Sequence, residues 1–151
     1  MRYKKGNLNT AKLPTNVLRL IGVYIDAKSM EPSTDRIRDL MLRFPSNNIY
    51  EKTTRRHPGQ IIYDPPLLYI VGQIIPRQDS FETSEDRLET FRTCMKQLVE
   101  ILGDTGSVEI AIDRGLGEEL HGNEDWNIYK EIMLEIETTH KHIEFLVYKS
   151  D

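Results

Sequence analysis

The residue types best suited to chemistry gather in the glycine-bearing stretch from Asp113 to Trp126, which reads Asp-Arg-Gly-Leu-Gly-Glu-Glu-Leu-His-Gly-Asn-Glu-Asp-Trp. Glycines let a backbone approach a ligand closely, and a helix N-terminus presents unpaired N–H groups to an anion. The stretch is therefore a candidate phosphate cradle. It lacks the Lys-Ser/Thr pair of a Walker loop and the spacing of a dinucleotide fingerprint. Glu118 and Glu119 would repel a phosphate, so physical grounds alone favour a plain surface loop.

Two titratable side chains are candidates for acid–base work. His121 lies within the glycine-bearing stretch, and its pKa near neutrality suits a general acid or base; the alternative is a solvent-exposed loop residue. Asp26 ends an apolar run, where it would orient a hydroxyl, act as a base or cap the turn. His140 and His142 have no carboxylate at a metal-ligand spacing, so no metal site is predicted. Cys94 falls in an apolar helical pattern, which favours a buried thiol over a nucleophile.

The elements that must position these residues alternate between strands and helices. Strands are predicted at 18–25, 60–63, 67–75, 108–112 and 143–148, and helices at about 35–44, from 83 or 84 to 102, and from about 123. Such alternation is typical of an α/β layered fold with both sheet faces covered. Ligands of such sheets bind beyond the carboxyl ends of the strands, which selects the connections 26–34 and 113–125.

Composition is typical of one globular domain spanning residues 1–151, with 38% hydrophobic and 29% charged residues. No apolar run approaches the roughly 20 residues of a membrane helix. The single cysteine excludes an internal disulfide, and an intracellular location is the default expectation. Residues 1–75 carry a net charge of +6 and residues 76–151 carry −10. No aromatic-interleaved basic motif was found, so nucleic-acid binding is disfavoured. Much of the positive charge of the first half comes from Arg36, Arg38, Arg43, Lys52, Arg55 and Arg56.

The two connections and the order of elements together resemble a macro domain, the ADP-ribose-binding module. The likeness is to the branch found in phage and viral proteins, small ADP-ribose phosphatases and ADP-ribosyl-glutamate hydrolases. That branch opens on a strand and Lys-Gly-Asp-Leu, where this chain has Lys5-Gly6-Asn7-Leu8. Its Gly-Ile-Gly-Cys-Gly-Leu-Ala-Gly-Gly-Asp-Trp segment corresponds to residues 115–126 here, with one extra residue. The family's first-loop glycines are replaced by Glu31, Pro32 and Ser33.

The resemblance implies a three-layer α/β/α domain with a central mixed sheet that recognises ADP-ribose or an ADP-ribosylated protein. It also implies hydrolysis of ADP-ribose 1''-phosphate, or removal of ADP-ribose from protein, as candidate activities. Asp26 and His121 would then be catalytic, with no cofactor or metal. A viral chain would act in the host cytoplasm. The ligand-binding positions carried over from the family are Asn7, Leu8, Ser29, Met30, Ser33, Gly115, Leu116, Gly117, Glu118, Leu120 and Gly122.

Two alternatives stay open. One is a non-catalytic interaction protein that keeps the macro architecture but has lost the nucleotide site, with Leu116 and Leu120 contacting a protein partner. The other is a nucleic-acid-binding module that uses the basic first half, for which affinity would fall strongly with salt. The oligomeric state and membership of a larger assembly are not predicted.

Overall fold

The computed structural model describes residues 1–10, 12, 17–52, 55–72, 84–104, 106–114 and 126–149. The strands are β1 (Arg2–Lys5), β2 (Leu18–Asp26), β3 (Ile61–Asp64), β4 (Leu67–Gly72), β5 (Val108–Asp113) and β6 (Ile143–Lys149). The α-helices are α1 (Asp35–Arg43), α2 (Ser84–Leu102) and α3 (Trp126–Thr139). Short 3-10 helices span Leu8–Thr10, Pro45–Asn47 and Ile49–Glu51. None of the helices in these ranges is long and apolar enough to span a membrane.

The six strands form one mixed sheet in the order β1-β6-β5-β2-β4-β3. The neighbouring pairs are parallel except β3–β4, which is an antiparallel hairpin. The central β2 pairs with β5 on one side and β4 on the other. This confirms the predicted α/β class with a central mixed sheet. The six residues of β4 are all buried, as expected for a strand covered on both faces, whereas 73–75 of the predicted strand lie outside the described residues.

Alternating side chains divide the core between the two faces of the sheet. On one face, which we call the α2–α3 face, strand residues such as Leu20, Ile110 and Phe145 pack with Phe91 and Tyr129 of the helices. On the other, the α1 face, the strands pack against α1 and the 3-10 helices; this cluster includes Leu8, Ile21, Val23, Ile25, Ile37, Leu40, Met41, Ile49 and Tyr69.

The two predicted helix boundaries near α1 follow from local chemistry. The Thr34 hydroxyl accepts a hydrogen bond from the Ile37 N–H at 3.2 Å, which caps the first turn. Phe44 closes the last turn by donating its N–H to the Leu40 carbonyl, and Pro45 follows. Helix α2 ends one residue before Gly103, whose φ of +47° is the left-handed conformation that glycine adopts at helix ends.

The amino ends of the strands on the α1 face carry an ion network. Glu109 of β5 accepts a hydrogen bond from Arg2 Nη2 at 2.7 Å and one from Arg19 Nε at 2.9 Å. Arg2 also pairs with Glu144 of β6, and Arg19 Nη1 reaches the Lys12 carbonyl. The Arg19 and Glu109 side chains are only 10% and 15% exposed. We call this group the Glu109 network; it ties four neighbouring strands together through side chains.

Candidate functional site

The carboxyl ends of the five parallel strands lie along one edge of the sheet. Asp26, Gly72 and Asp113 end β2, β4 and β5, while Lys5 and Lys149 end β1 and β6. Asp26 and Gly72 are register partners on adjacent strands. Loops that leave this edge are where α/β sheets bind ligands. We call the polar groups around the end of β2, together with residues 7–9 and the first turn of α1, the carboxyl rim.

Asp26 builds a tight turn at the centre of the rim. Its Oδ1 accepts hydrogen bonds from the backbone N–H groups of Lys28 at 2.8 Å and Ser29 at 2.6 Å. Its Oδ2 accepts from the hydroxyls of Ser29 at 2.6 Å and Ser33 at 3.0 Å. Both carboxylate oxygens are therefore occupied by groups of the same loop, and the residue is 2% exposed. This turn orients the backbone between β2 and α1.

The hydrogen bonds also decide the protonation state of Asp26. Burial alone would raise the pKa of this carboxyl, but the four donors from Ser29, Lys28 and Ser33 outweigh burial and hold the pKa below its usual value. A carboxylate with a lowered pKa is a weak proton acceptor. Of the roles that the sequence left open, the geometry thus favours the turn-forming one, and a base role for Asp26 stays a prediction.

Replacing Asp26 by asparagine is expected to lower the free energy of unfolding by about 2 kcal/mol at pH 7, because an amide nitrogen cannot accept from the serine hydroxyls. Since the folded pKa is depressed, the carboxylate's contribution is fully present above the unfolded pKa of about 4 and is lost as pH falls through the folded value. Urea unfolding at pH 7 and at pH 3 measures both. Ser33→Ala, which removes one of the four bonds, is the smaller matched change. An equal stability of wild type and Asp26→Asn at pH 7 would contradict the role.

The segment after β1 reaches the rim through its backbone. The N–H of Gly6 donates to the Lys149 carbonyl at 3.1 Å, and the Asn7 side chain accepts from the Asn9 N–H at 2.9 Å. Leu8 is 1% exposed and belongs to the core of the α1 face. Arg43 Nη1 donates to the Leu8 and Asn9 carbonyls at 3.3 and 2.8 Å. Asn7 is thus exposed at the rim, whereas the Leu8 side chain holds the segment in place by packing in the core of the α1 face.

Helix α1 connects this segment to β5. Asn9 Nδ2 donates to the Arg36 carbonyl at 3.1 Å, and the Arg36 guanidinium lies 3.7 Å from Asp113 Oδ2. The first turn of α1 therefore touches the segments that follow β1 and β5. These contacts bring the ends of three strands into one polar assembly.

Tyr50 is a rim residue that sequence reasoning missed, and Arg56, noted there only for its charge, is a second. Arg56 Nη2 donates to the Ser29 carbonyl, and its guanidinium lies 5.1 Å from the centroid of the Tyr50 ring. Burial raises the pKa of Tyr50 to about 12 despite the nearby Arg56 cation. Arg56 Nη1 and the Tyr50 hydroxyl are both buried without a hydrogen-bond partner among the described residues. Their polar segment reads as a loop in sequence, and only the fold brings it to the Asp26 turn.

The remaining predicted site residues divide into two groups. Ser29 and Ser33 are held by Asp26, and the Met30 side chain is 82% exposed at the tip of the same turn. The other group, which lies outside the described residues, comprises Gly115, Leu116, Gly117, Glu118, Leu120, His121 and Gly122. The structure therefore brings Asn7, Ser29 and Ser33 to one edge and leaves the roles predicted for the second group as predictions.

Two other chemical candidates are accounted for by the fold. Cys94 is fully buried, its thiol lies 3.4 Å from the Val71 carbonyl, and burial raises its pKa to about 12. It is therefore an inert core thiol. The rings of His140 and His142 meet edge to face with centroids 6.2 Å apart, just before β6. Across the described part of the chain, no group of three or more His, Cys, Asp or Glu side chains could hold a metal ion.

Comparison with known proteins shows a similarity of fold and nothing further. No protein-family model matches the chain, and no curated protein is similar to it. Among solved structures, the chain is similar to "Alphavirus P23pro-zbd", with a TM-score of 0.61 and 12% sequence identity. The match covers 97% of this chain and 21% of that one, so this chain spans about a fifth of that protein's length. The two proteins share an α/β architecture over nearly all of the present chain.

Proposed function

We propose that this chain recognises ADP-ribose or an ADP-ribosyl group at the carboxyl rim. The observation that carries the proposal is the convergence of two segments that resemble the macro-domain site. The segment around Asn7 and the turn from Asp26 to Ser33 end on the same sheet edge, and α1 joins them through Thr34 and Arg36. The three-layer fold also supports the proposal, because the resemblance to macro domains implies that fold. This support does not depend on the side chains named above.

The rim offers suitable groups for the parts of such a ligand. Asn7, exposed after β1, would offer its amide to the adenine edge. The polar turn at Ser29 and Ser33 would border the distal ribose. Arg56, which contacts the Ser29 carbonyl, supplies positive charge beside the Asp26 turn, and Arg36 would have to exchange its partner Asp113 for the diphosphate. Residues 115–125 join the end of β5 to α3 and, by the resemblance, would complete the diphosphate cradle.

Recognition, and not turnover, is the function that the described geometry supports best. Asp26 is saturated with hydrogen bonds and has a lowered pKa, which suits a positioning residue. Hydrolysis of a phosphate ester or an ADP-ribosyl link would then depend on His121, which the resemblance places opposite the distal ribose. We therefore treat catalysis as a separate question from binding.

Calorimetric titration of ADP-ribose into the protein, with ADP and ribose 5-phosphate as controls, tests the proposal. Micromolar binding is expected, and Asn7→Ala should weaken it about tenfold, the effect of about 1.4 kcal/mol from one lost polar contact. Lys96→Ala, an exposed change on α2, is the matched control and should bind like wild type. Absence of heat and of any thermal shift at millimolar ADP-ribose would overturn the proposal and favour the interaction-protein alternative.

A further inference from the structure

The free edge of the sheet at β1 brings together cations that are far apart in sequence. All four residues of β1 are exposed, and Lys5 is the register partner of Lys149. The Arg114 N–H donates to the Tyr148 carbonyl at 2.7 Å, so Arg114 follows β5 beside the end of β6. Three neighbouring strands thus place Lys5, Lys149 and Arg114 side by side at their carboxyl ends. Lys4 adds a fourth exposed cation on the same edge strand, on the opposite face of the sheet, because it pairs with Tyr148 of the α1 face.

An exposed aromatic ring lies within this group of cations. The Tyr3 side chain is 51% exposed, and Tyr3 pairs with Val147, a residue of the α2–α3 face. Lys130 of α3 extends over the ring, with its Nζ 5.9 Å from the ring centroid. A fifth cation therefore joins the edge from the helix layer. We call Tyr3, Lys4, Lys5, Arg114, Lys130 and Lys149 together the basic edge.

The cations of the basic edge differ from the first-half cations named in the sequence analysis, because several of the latter are paired with carboxylates or carbonyls. Of those first-half cations, Arg38 pairs with Asp35 at 3.2 Å and Lys52 with Asp64 at 2.5 Å. Arg43 is bound to backbone carbonyls. The five basic side chains of the edge, by contrast, form no salt bridge with any carboxylate that the structure describes. Their concentration on a chain of net charge −4 leaves a local positive field that an external anion would relieve.

We propose that the basic edge binds single-stranded nucleic acid, which goes beyond the function proposed above. Lysines and an arginine along a strand edge can neutralise successive phosphates of one backbone. An exposed tyrosine flanked by cations offers a platform on which an unpaired base stacks, a contact worth about 1–3 kcal/mol. A duplex keeps its base faces covered, so the ring favours a single strand. An anionic membrane is disfavoured because Tyr3 is the only exposed large apolar side chain of β1, β5 and β6, the strands that form this edge.

The test is fluorescence anisotropy with a labelled oligouridylate of about ten nucleotides, within the site sizes typical of single-strand binders. The logarithm of the association constant is expected to fall with the logarithm of salt concentration, with a slope of about −3 for phosphate contacts by Lys5, Arg114, Lys130 and Lys149. The double variant Lys5→Gln/Lys149→Gln should bind about tenfold more weakly and show a slope shallower by about 1.4. Both side chains are exposed, so folding is expected to be unchanged and is checked by thermal melting.

The matched control is Lys96→Gln/Lys141→Gln, which removes the same charge from exposed positions away from the edge. It should bind like wild type. Tyr3→Leu should weaken binding about tenfold, whereas Tyr3→Phe, which keeps a stacking ring, should retain it. Equal weakening by both lysine pairs would overturn the proposal, because net charge would then explain binding. Equal affinity for duplex DNA or phosphatidylserine vesicles, unchanged by Tyr3→Leu, would overturn it as well.

Competition with ADP-ribose separates this inference from the proposed function. If ADP-ribose displaces the oligonucleotide while the Lys5 and Lys149 variants bind normally, the oligonucleotide occupies the carboxyl rim and the basic edge proposal is wrong. If the edge variants lose oligonucleotide binding and still bind ADP-ribose like wild type, the two sites are distinct. Loss of ADP-ribose binding with oligonucleotide binding retained would contradict the proposed function and support the basic-edge proposal.

Discussion

Alanine at position 72 is expected to destabilise the protein by about 3 kcal/mol, at the upper end of the usual cost of overpacking a core. A Cβ built on Gly72 would lie 2.5 Å from Cζ and 2.7 Å from Cε1 of Tyr24, closer than atoms in proteins approach. The Tyr24 ring is only 5% exposed and packs near Tyr129 at a centroid distance of 6.3 Å, so it has little room to move. The melting temperature should fall by roughly 6–12 °C.

Thermal and urea unfolding followed by the fluorescence of Trp126, the single tryptophan, measure this effect. Tyr24→Leu provides the control background, because a shorter side chain leaves space over position 72. The alanine substitution should cost clearly less in that background, so the two effects should not add. A Gly72→Ala protein as stable as wild type would show that Tyr24 does not lie over this glycine. Since Asp26 is the register partner of Gly72, the same substitution also tests how rigidly the rim is held.

Glu109→Gln is expected to cost about 3 kcal/mol, because removing one partner of a largely buried ion pair leaves the other charge uncompensated. The glutamine side chain would keep one acceptor oxygen but no charge, so Arg19 would lose its carboxylate partner while keeping the Lys12 carbonyl. Glu144→Gln is the matched control on the neighbouring strand, since Glu144 is the register partner of Glu109 but its side chain is 40% exposed. That substitution should cost less than about 1 kcal/mol.

The Glu109 prediction has a defined pH dependence. Burial alone would raise the pKa of Glu109, but hydrogen bonds and charge from Arg19 and Arg2 outweigh it and lower the pKa. The stabilisation is therefore complete above the unfolded pKa of about 4.3 and is lost as pH falls through the lower folded value. Urea unfolding from pH 7 to pH 3 should show wild type and Glu109→Gln converging as the acid is approached. A constant difference across that range would exclude the charge as its source.

Local pattern was enough to predict the three described helices, five of the six described strands and their layering, but not β1, whose four residues are all exposed and carry no apolar signal. The apolar run ending at Asp26, the Thr34 cap and the Gly103 stop are each set by neighbouring residues, and the structure places them as expected. The position of Asp26 at the ligand edge could be predicted for the same reason. The sequence left turn capping as one of several possible roles for Asp26. The hydrogen bonds from Ser29 and Ser33 in the structure were needed to choose that role.

Features that depend on strand order could not be predicted. Arg19 and Glu109 are 90 residues apart in sequence, and their pairing follows only from β2 and β5 being neighbours. Arg56 contacts the Ser29 carbonyl of the Asp26 turn, 27 residues away in sequence. The exposed cations of β1 likewise gain their neighbours from β6. In each case the local sequence is typical of an exposed polar position. The contacts that define the role of the side chain are made with residues that are distant in sequence.

The pairing of β1 with β6 has a consequence for how the chain folds during synthesis. Arg2 and Glu144 meet across 142 residues of sequence, so β1 has no strand to join until β6 has left the ribosome. The inner strands β2, β4 and β5 can associate earlier, whereas closing so long a loop is slow. Docking of β1 should therefore be a late step with little influence on the folding rate. Substitutions in β1 would then act mainly by accelerating unfolding.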